Sequence, residues 1–117
     1  MPIIVAGYLD FAPATVEKLI VDAKPLIEEA LAEPGCRAYS WAPDPLHPGR
    51  VHVFEEWDDE DALAGHFSAS PYAEMGAHLQ RDGILEFAVK KYRCDLAEPV
   101  YDESDTPRAD FFTELQA

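Results

Sequence analysis

Read from its N-terminus, the chain changes hydrophobic period in an order that leaves few folds open. Residues 3–11, IIVAGYLDF, mix Ile, Val, Tyr and Leu with no charge before Asp10, and Pro13 closes them, which predicts a largely buried strand. Beyond Pro13 the apolar residues Val16, Leu19, Ile20, Ala23, Ile27, Ala30 and Leu31 fall three and four apart, the stripe of an amphipathic helix. Pro25 interrupts that stripe and predicts a kink or break, because proline deletes a backbone hydrogen bond and crowds the preceding turn. Pro34 and Gly35 end the helix. Residues 36–42 and 50–57 then alternate across the turn-rich PDPLHPG and read as a hairpin. Asp58 is the expected cap of a second helix, with Asp59, Glu60 and Asp61 in a first turn that complements the helix dipole. Ser70 and Pro71 repeat the cap signal and open a short helix through Tyr72, Met75 and Leu79, and residues 84–94 supply a last strand.

The order strand, helix, strand, strand, helix, strand is the split β-α-β pattern of a ferredoxin-like α+β domain, an antiparallel sheet with helices on one face. The other face needs cover. Ile4, Ala6, Tyr8, Cys36, Ala38, Phe54 and Phe87 are expected to present an apolar area there, which predicts a homodimer packed sheet against sheet. Residues 1–95 form this domain; residues 96–117 form an acidic, Pro-rich extension whose DFFTEL segment is expected to dock on the dimer.

Composition excludes several partners. The 117 residues carry 9 Lys plus Arg against 23 Asp plus Glu, a formal net charge of −14, which repels nucleic acid and anionic membrane surfaces. No signal-peptide pattern and no apolar run of bilayer length occurs, so a soluble cytoplasmic protein is expected. The two cysteines, Cys36 and Cys94, form no C-x-x-C pair and are expected to be small buried thiols. The four histidines fall on separate elements without His-x-x-x-His spacing, and no metal site is expected.

The segments PGCRAYSWAPD and PGRVHVFEEWDDEDALAGHFSASPY carry a resemblance. Through Gly35, Tyr39, the Phe54, Glu55 and Trp57 cluster, His66, and Ser70 with Pro71, residues 3–92 resemble the antibiotic biosynthesis monooxygenase family. That resemblance implies a dimeric α+β barrel and, in its quinol and anthrone monooxygenase members, cofactor-independent oxidation of a small aromatic hydroxylated substrate by dioxygen. A haem-degrading branch of the same superfamily resembles the chain at Trp57 and His78, but has asparagine where this chain aligns Gly7.

The chemistry so implied needs a base in a dry, aromatic-lined pocket. In the second hairpin strand Val51, Val53, Glu55 and Trp57 share one face, and in the following helix Leu63 and Phe67 point inward with His66 at the edge. An imidazole, with an ordinary pKa of about 6.5, suits proton transfer at neutral pH, so His66 is the leading candidate for base or substrate hydrogen bond, with Glu55 orienting the histidine or the substrate hydroxyl. Tyr39, Trp57 and Tyr72 are candidates to flank a planar substrate, and His78 is a second candidate at the site. His47 and His52 read as solvated or interfacial. Each residue also has a structural reading: His66 as a capped structural histidine, Trp57 as core, and Glu55 paired to Arg37 or Lys90. A non-catalytic dimer that binds a small ligand or a protein partner is the competing function.

Overall fold

The computed structural model describes residues 1–113, in which four strands form one antiparallel sheet and three helices pack on one of its faces. The elements are β1 (Ile3–Asp10), a 3₁₀ turn (Pro13–Thr15), α1 (Val16–Leu31), β2 (Cys36–Pro43), β3 (Arg50–Trp57), α2 (Glu60–Ser68), α3 (Ser70–Asp82) and β4 (Glu86–Arg93). The strand order β2-β3-β1-β4 makes this a ferredoxin-like α+β fold.

Register decides which residues look at the helices. Val51, Val53, Glu55 and Trp57 are all buried, whereas His52 and Phe54 are exposed and Glu56 is half-buried, the alternation the sequence predicts for β3. Pairing carries that face across the sheet, through Tyr39 opposite Glu55, Val5 opposite Glu55 and Lys91 opposite Val5. Leu19, Ala23 and Ala30 of α1 are buried with Trp57, Phe11 and Val51. Each large side chain in this core contributes about 1.5–3 kcal/mol by leaving water.

The outward face needs two corrections. The register shift between Cys36 and Ala38 sets Arg37 as an extra residue, so Cys36 pairs with Trp57 on the helix side while Ala38 faces outward. Phe87 pairs with Leu9, on that same helix side. Ile4, Ala6, Tyr8, Ala38 and Phe54 do share the outer face, joined by Tyr92 opposite Ile4. Strand β4 is exposed at all eight residues, because the helices sit over β2 and β3 and leave β4 open. Cys36 and Cys94, expected to be buried, are both half-buried.

The helix boundaries also differ from expectation. Helix α1 runs through Pro25 without a break, the proline lying on its exposed side. Asp59, not Asp58, caps α2, its carboxylate accepting the Ala62 N–H at 2.8 Å. Asp58 is instead taken by Arg37. Ala69 stands at the cap of α3, placing Ser70 and Pro71 inside the first turn. The chain after β4 is braced by itself: Glu98 accepts the Phe112 and Thr113 N–H groups, and Arg108 pairs with Asp102 and Asp110. Of the DFFTEL segment, Glu114 and Leu115 lie outside the described residues.

Candidate functional site

Three segments of the chain meet at His66. Helix α2 begins immediately after β3, so its inward side faces the Glu55 end of that strand. Leu63 is buried there, and His66, three residues on, is buried to 2% exposure. Phe67, expected to point inward, is half exposed instead; the imidazole takes the central position. The third segment is the turn after α1. Gly35 has φ of +78° and its missing Cβ would lie 2.5 Å from the Ala62 Cβ, so glycine alone lets this turn press against α2. The Gly35 carbonyl accepts the Asp58 N–H at 2.8 Å, and this stitch brings Glu33 beside His66.

The resulting cluster is a histidine between two carboxylates. His66 Nδ1 lies 2.6 Å from Glu33 Oε1, while Nε2 is 3.9 Å from Glu55 Oε1. Trp57 donates its indole N–H to that same Glu55 oxygen at 3.0 Å. Burial pushes the Glu55 carboxyl above its ordinary value, against the pull of the Trp57 hydrogen bond and of His66. Burial likewise raises the Tyr39 hydroxyl, so Tyr39 enters as a neutral donor. Four rings surround the imidazole: Trp57 at 4.5 Å between centroids, Tyr72 at 5.4 Å, Tyr39 at 5.6 Å and Phe67 at 5.9 Å. Glu33 Oε2 is buried with no partner among the described residues, an arrangement that costs about 1–3 kcal/mol.

Beside this cluster opens a cavity of about 580 Å³, within the range of roughly 300–1,000 Å³ that holds small organic ligands. Tyr39, Glu55, His66 and Tyr72 line it, with Trp41 on the β2 side and Val89 and Lys91 on the β4 side. Trp57 does not line it: fully buried behind Glu55 and His66, it holds the carboxylate in place instead of forming a wall. His78 is elsewhere. It donates Nε2–H to the Leu19 carbonyl at 3.0 Å, pinning α3 to α1, and it does not line the cavity. Neither Arg37 nor Lys90 pairs with Glu55; Arg37 serves Asp58 and Glu56. His52 is exposed and lies 2.6 Å from Asp44. Glu33 is the residue that sequence reasoning missed, since it looks like part of a helix stop and reaches His66 across 33 positions.

Among the described residues, no group of three or more His, Cys, Asp or Glu side chains is arranged to hold a metal ion, and no helix is long and apolar enough to cross a membrane. The family model of antibiotic biosynthesis monooxygenase matches residues 2–78, which include Glu33, Glu55 and His66. The chain belongs to this family. An uncharacterised Synechocystis protein is 37% identical over 71 residues, which are 61% of this chain and 48% of the relative, so the chain spans about half of that protein's length. Among solved structures, a conserved protein of Methanosarcina mazei is similar at 29% identity and a TM-score of 0.72, covering 80% of this chain and 92% of its own. A Deinococcus radiodurans protein named for the antibiotic biosynthesis monooxygenases, at 21% identity and a TM-score of 0.70, covers 83% of this chain and 96% of its own and shares the fold.

Proposed function

We propose that the protein is a cofactor-independent monooxygenase that oxidises a small aromatic hydroxylated substrate, a quinol, anthrone or phenol, with dioxygen, and that it works as a homodimer. The observation that carries this reading is the buried His66 imidazole on the wall of an aromatic-lined cavity, with Nδ1 engaged by Glu33 and Nε2 on the side of Glu55. His66 Nε2 takes the acidic proton of the substrate, leaving an electron-rich anion. The anion gives an electron to dioxygen, and the resulting radical pair couples through a new carbon–oxygen bond to a peroxide anion, which takes back the proton held at His66 Nε2. In an anthrone, loss of water from that peroxide turns CH2 into C=O: the carbon supplies four electrons, one oxygen atom stays in the product and the other leaves as water. Tyr39 and Tyr72 flank the ring, and Glu55 holds the substrate hydroxyl against His66. Burial of the cluster removes water from the reacting atoms, which strengthens each of these interactions.

The haem-degrading alternative loses support at Gly7. A Cβ built there lies 2.0 Å from the Ala88 carbonyl oxygen of β4, so an asparagine in this position would displace the strand. The test of the proposal is oxygen uptake with a panel of quinols and anthrones. Uptake above autoxidation is expected for the native chain, reduced by about 10²–10⁴-fold in kcat for His66→Ala, the usual worth of a general base. Uptake unchanged in that variant would move the base elsewhere, and none with any substrate would favour a ligand-binding dimer without turnover.

A further inference from the structure

We propose that Glu33 is a positioning residue that selects which nitrogen of His66 is basic. The inference rests on His66 acting as the base and adds the group that makes Nε2, not Nδ1, the proton acceptor. At 2.6 Å, Nδ1 and Glu33 Oε1 are in hydrogen-bond contact, and two lone pairs cannot face each other at that separation. A proton therefore lies between them. Imidazole is ordinarily the stronger base of the two, so the proton stays on Nδ1 and the carboxylate accepts. Once Nδ1 carries the proton of a neutral ring, Nε2 is a bare lone pair. Without Glu33, nothing among the described residues would hold the ring in that tautomer from the Nδ1 side.

The rest of the surroundings agrees. The titratable groups around the ring are Glu33 from the turn after α1, Glu55 from β3, Tyr39 from β2 and Tyr72 from α3, with Cys36 of β2 near the two carboxylates and Lys90 and Lys91 of β4 on the cavity wall. Among the described residues only Glu33 reaches Nδ1. Glu55 stands 3.9 Å from Nε2 and already accepts the Trp57 N–H, so Nε2 stays free for a substrate proton. The unpartnered Glu33 Oε2 points the same way, because a residue present for packing would not bring a second buried acceptor. When the acidic bond of the substrate, O–H in a quinol or phenol and C–H in an anthrone, breaks and its proton moves to Nε2, both ring nitrogens carry protons and the ring becomes an imidazolium beside the Glu33 carboxylate. The carboxylate orients and stabilises that cation and is not itself protonated.

The test reads the proton directly, by long-range nitrogen–proton correlation spectra of the His66 ring in the native full chain, Glu33→Gln and Glu33→Ala at pH 8, alongside oxygen-uptake kinetics. Native His66 is expected to carry its proton on Nδ1. Glu33→Gln keeps an acceptor oxygen and keeps that tautomer, whereas Glu33→Ala moves the proton to Nε2 and lowers kcat at least tenfold with KM changed less than twofold. A native ring protonated on Nε2, or a tautomer indifferent to Glu33→Ala, would overturn the proposal. So would a changed tautomer with kcat intact, which leaves the monooxygenase reading standing. A tautomer set by Glu33 in a native chain that consumes no oxygen would remove that reading and leave the assignment of the basic nitrogen in place.

Discussion

Glu55 shows at the scale of one residue how the site trades against stability. Its carboxyl is raised by burial, so the ionised form is less favourable folded than unfolded. The stability it allows is fully present below the ordinary carboxylate value and declines as pH rises through the raised one. Glu55→Gln, which keeps an oxygen for the Trp57 N–H, is therefore expected to leave the Tm unchanged near pH 4 and to raise it by a few degrees at pH 8. Thermal melts at both values check this, and an equal Tm at pH 8 would refute it. Asp44 runs in the opposite sense: the His52 contact and the Leu46 and His47 N–H groups hold its pKa at about 2, so what it contributes is fully present above the ordinary carboxylate value and is lost as pH falls from there to about 2.

Among the elements, α1 is the one that sits furthest from its intrinsic preference. It keeps helical geometry through Pro25 because its other side packs Leu19, Ala23 and Ala30 into the core, and tertiary packing overrides the local penalty. The exposed proline leaves the Val21 carbonyl without its helical donor. Pro25→Ala is accordingly expected to stabilise the fold by about 1–3 kcal/mol in urea denaturation with no change in slope. Destabilisation would mean that the proline shapes α1 where His78 grips the Leu19 carbonyl.

At the scale of the molecule, the outer sheet face of Ile4, Tyr8, Phe54 and Tyr92 has no helix over it among the described residues, and on this surface we place the proposed dimer contact. Phe54→Asp is expected to turn a dimer into a monomer in sedimentation while the far-ultraviolet spectrum is unchanged; a native chain that sediments as a monomer would sink the dimer. Truncation after Leu96 tests the self-braced extension separately, with a lower dimer stability expected if it docks on the second copy.

Local pattern by itself determined the order of elements, the α+β class and the shared face of Val53, Glu55 and Trp57, because a period of two or of 3.6 is written in neighbouring residues. It also singled out His66. The tertiary structure decided what no neighbour can encode: the bulge at Arg37 that turns Cys36 inward, the register that sets Phe87 beside Leu9, and His78 spent on the Leu19 carbonyl. The arrival of Glu33 at His66 belongs with these. It depends on a left-handed glycine and a turn pressed on α2, contacts between segments whose distance in sequence leaves no periodic trace.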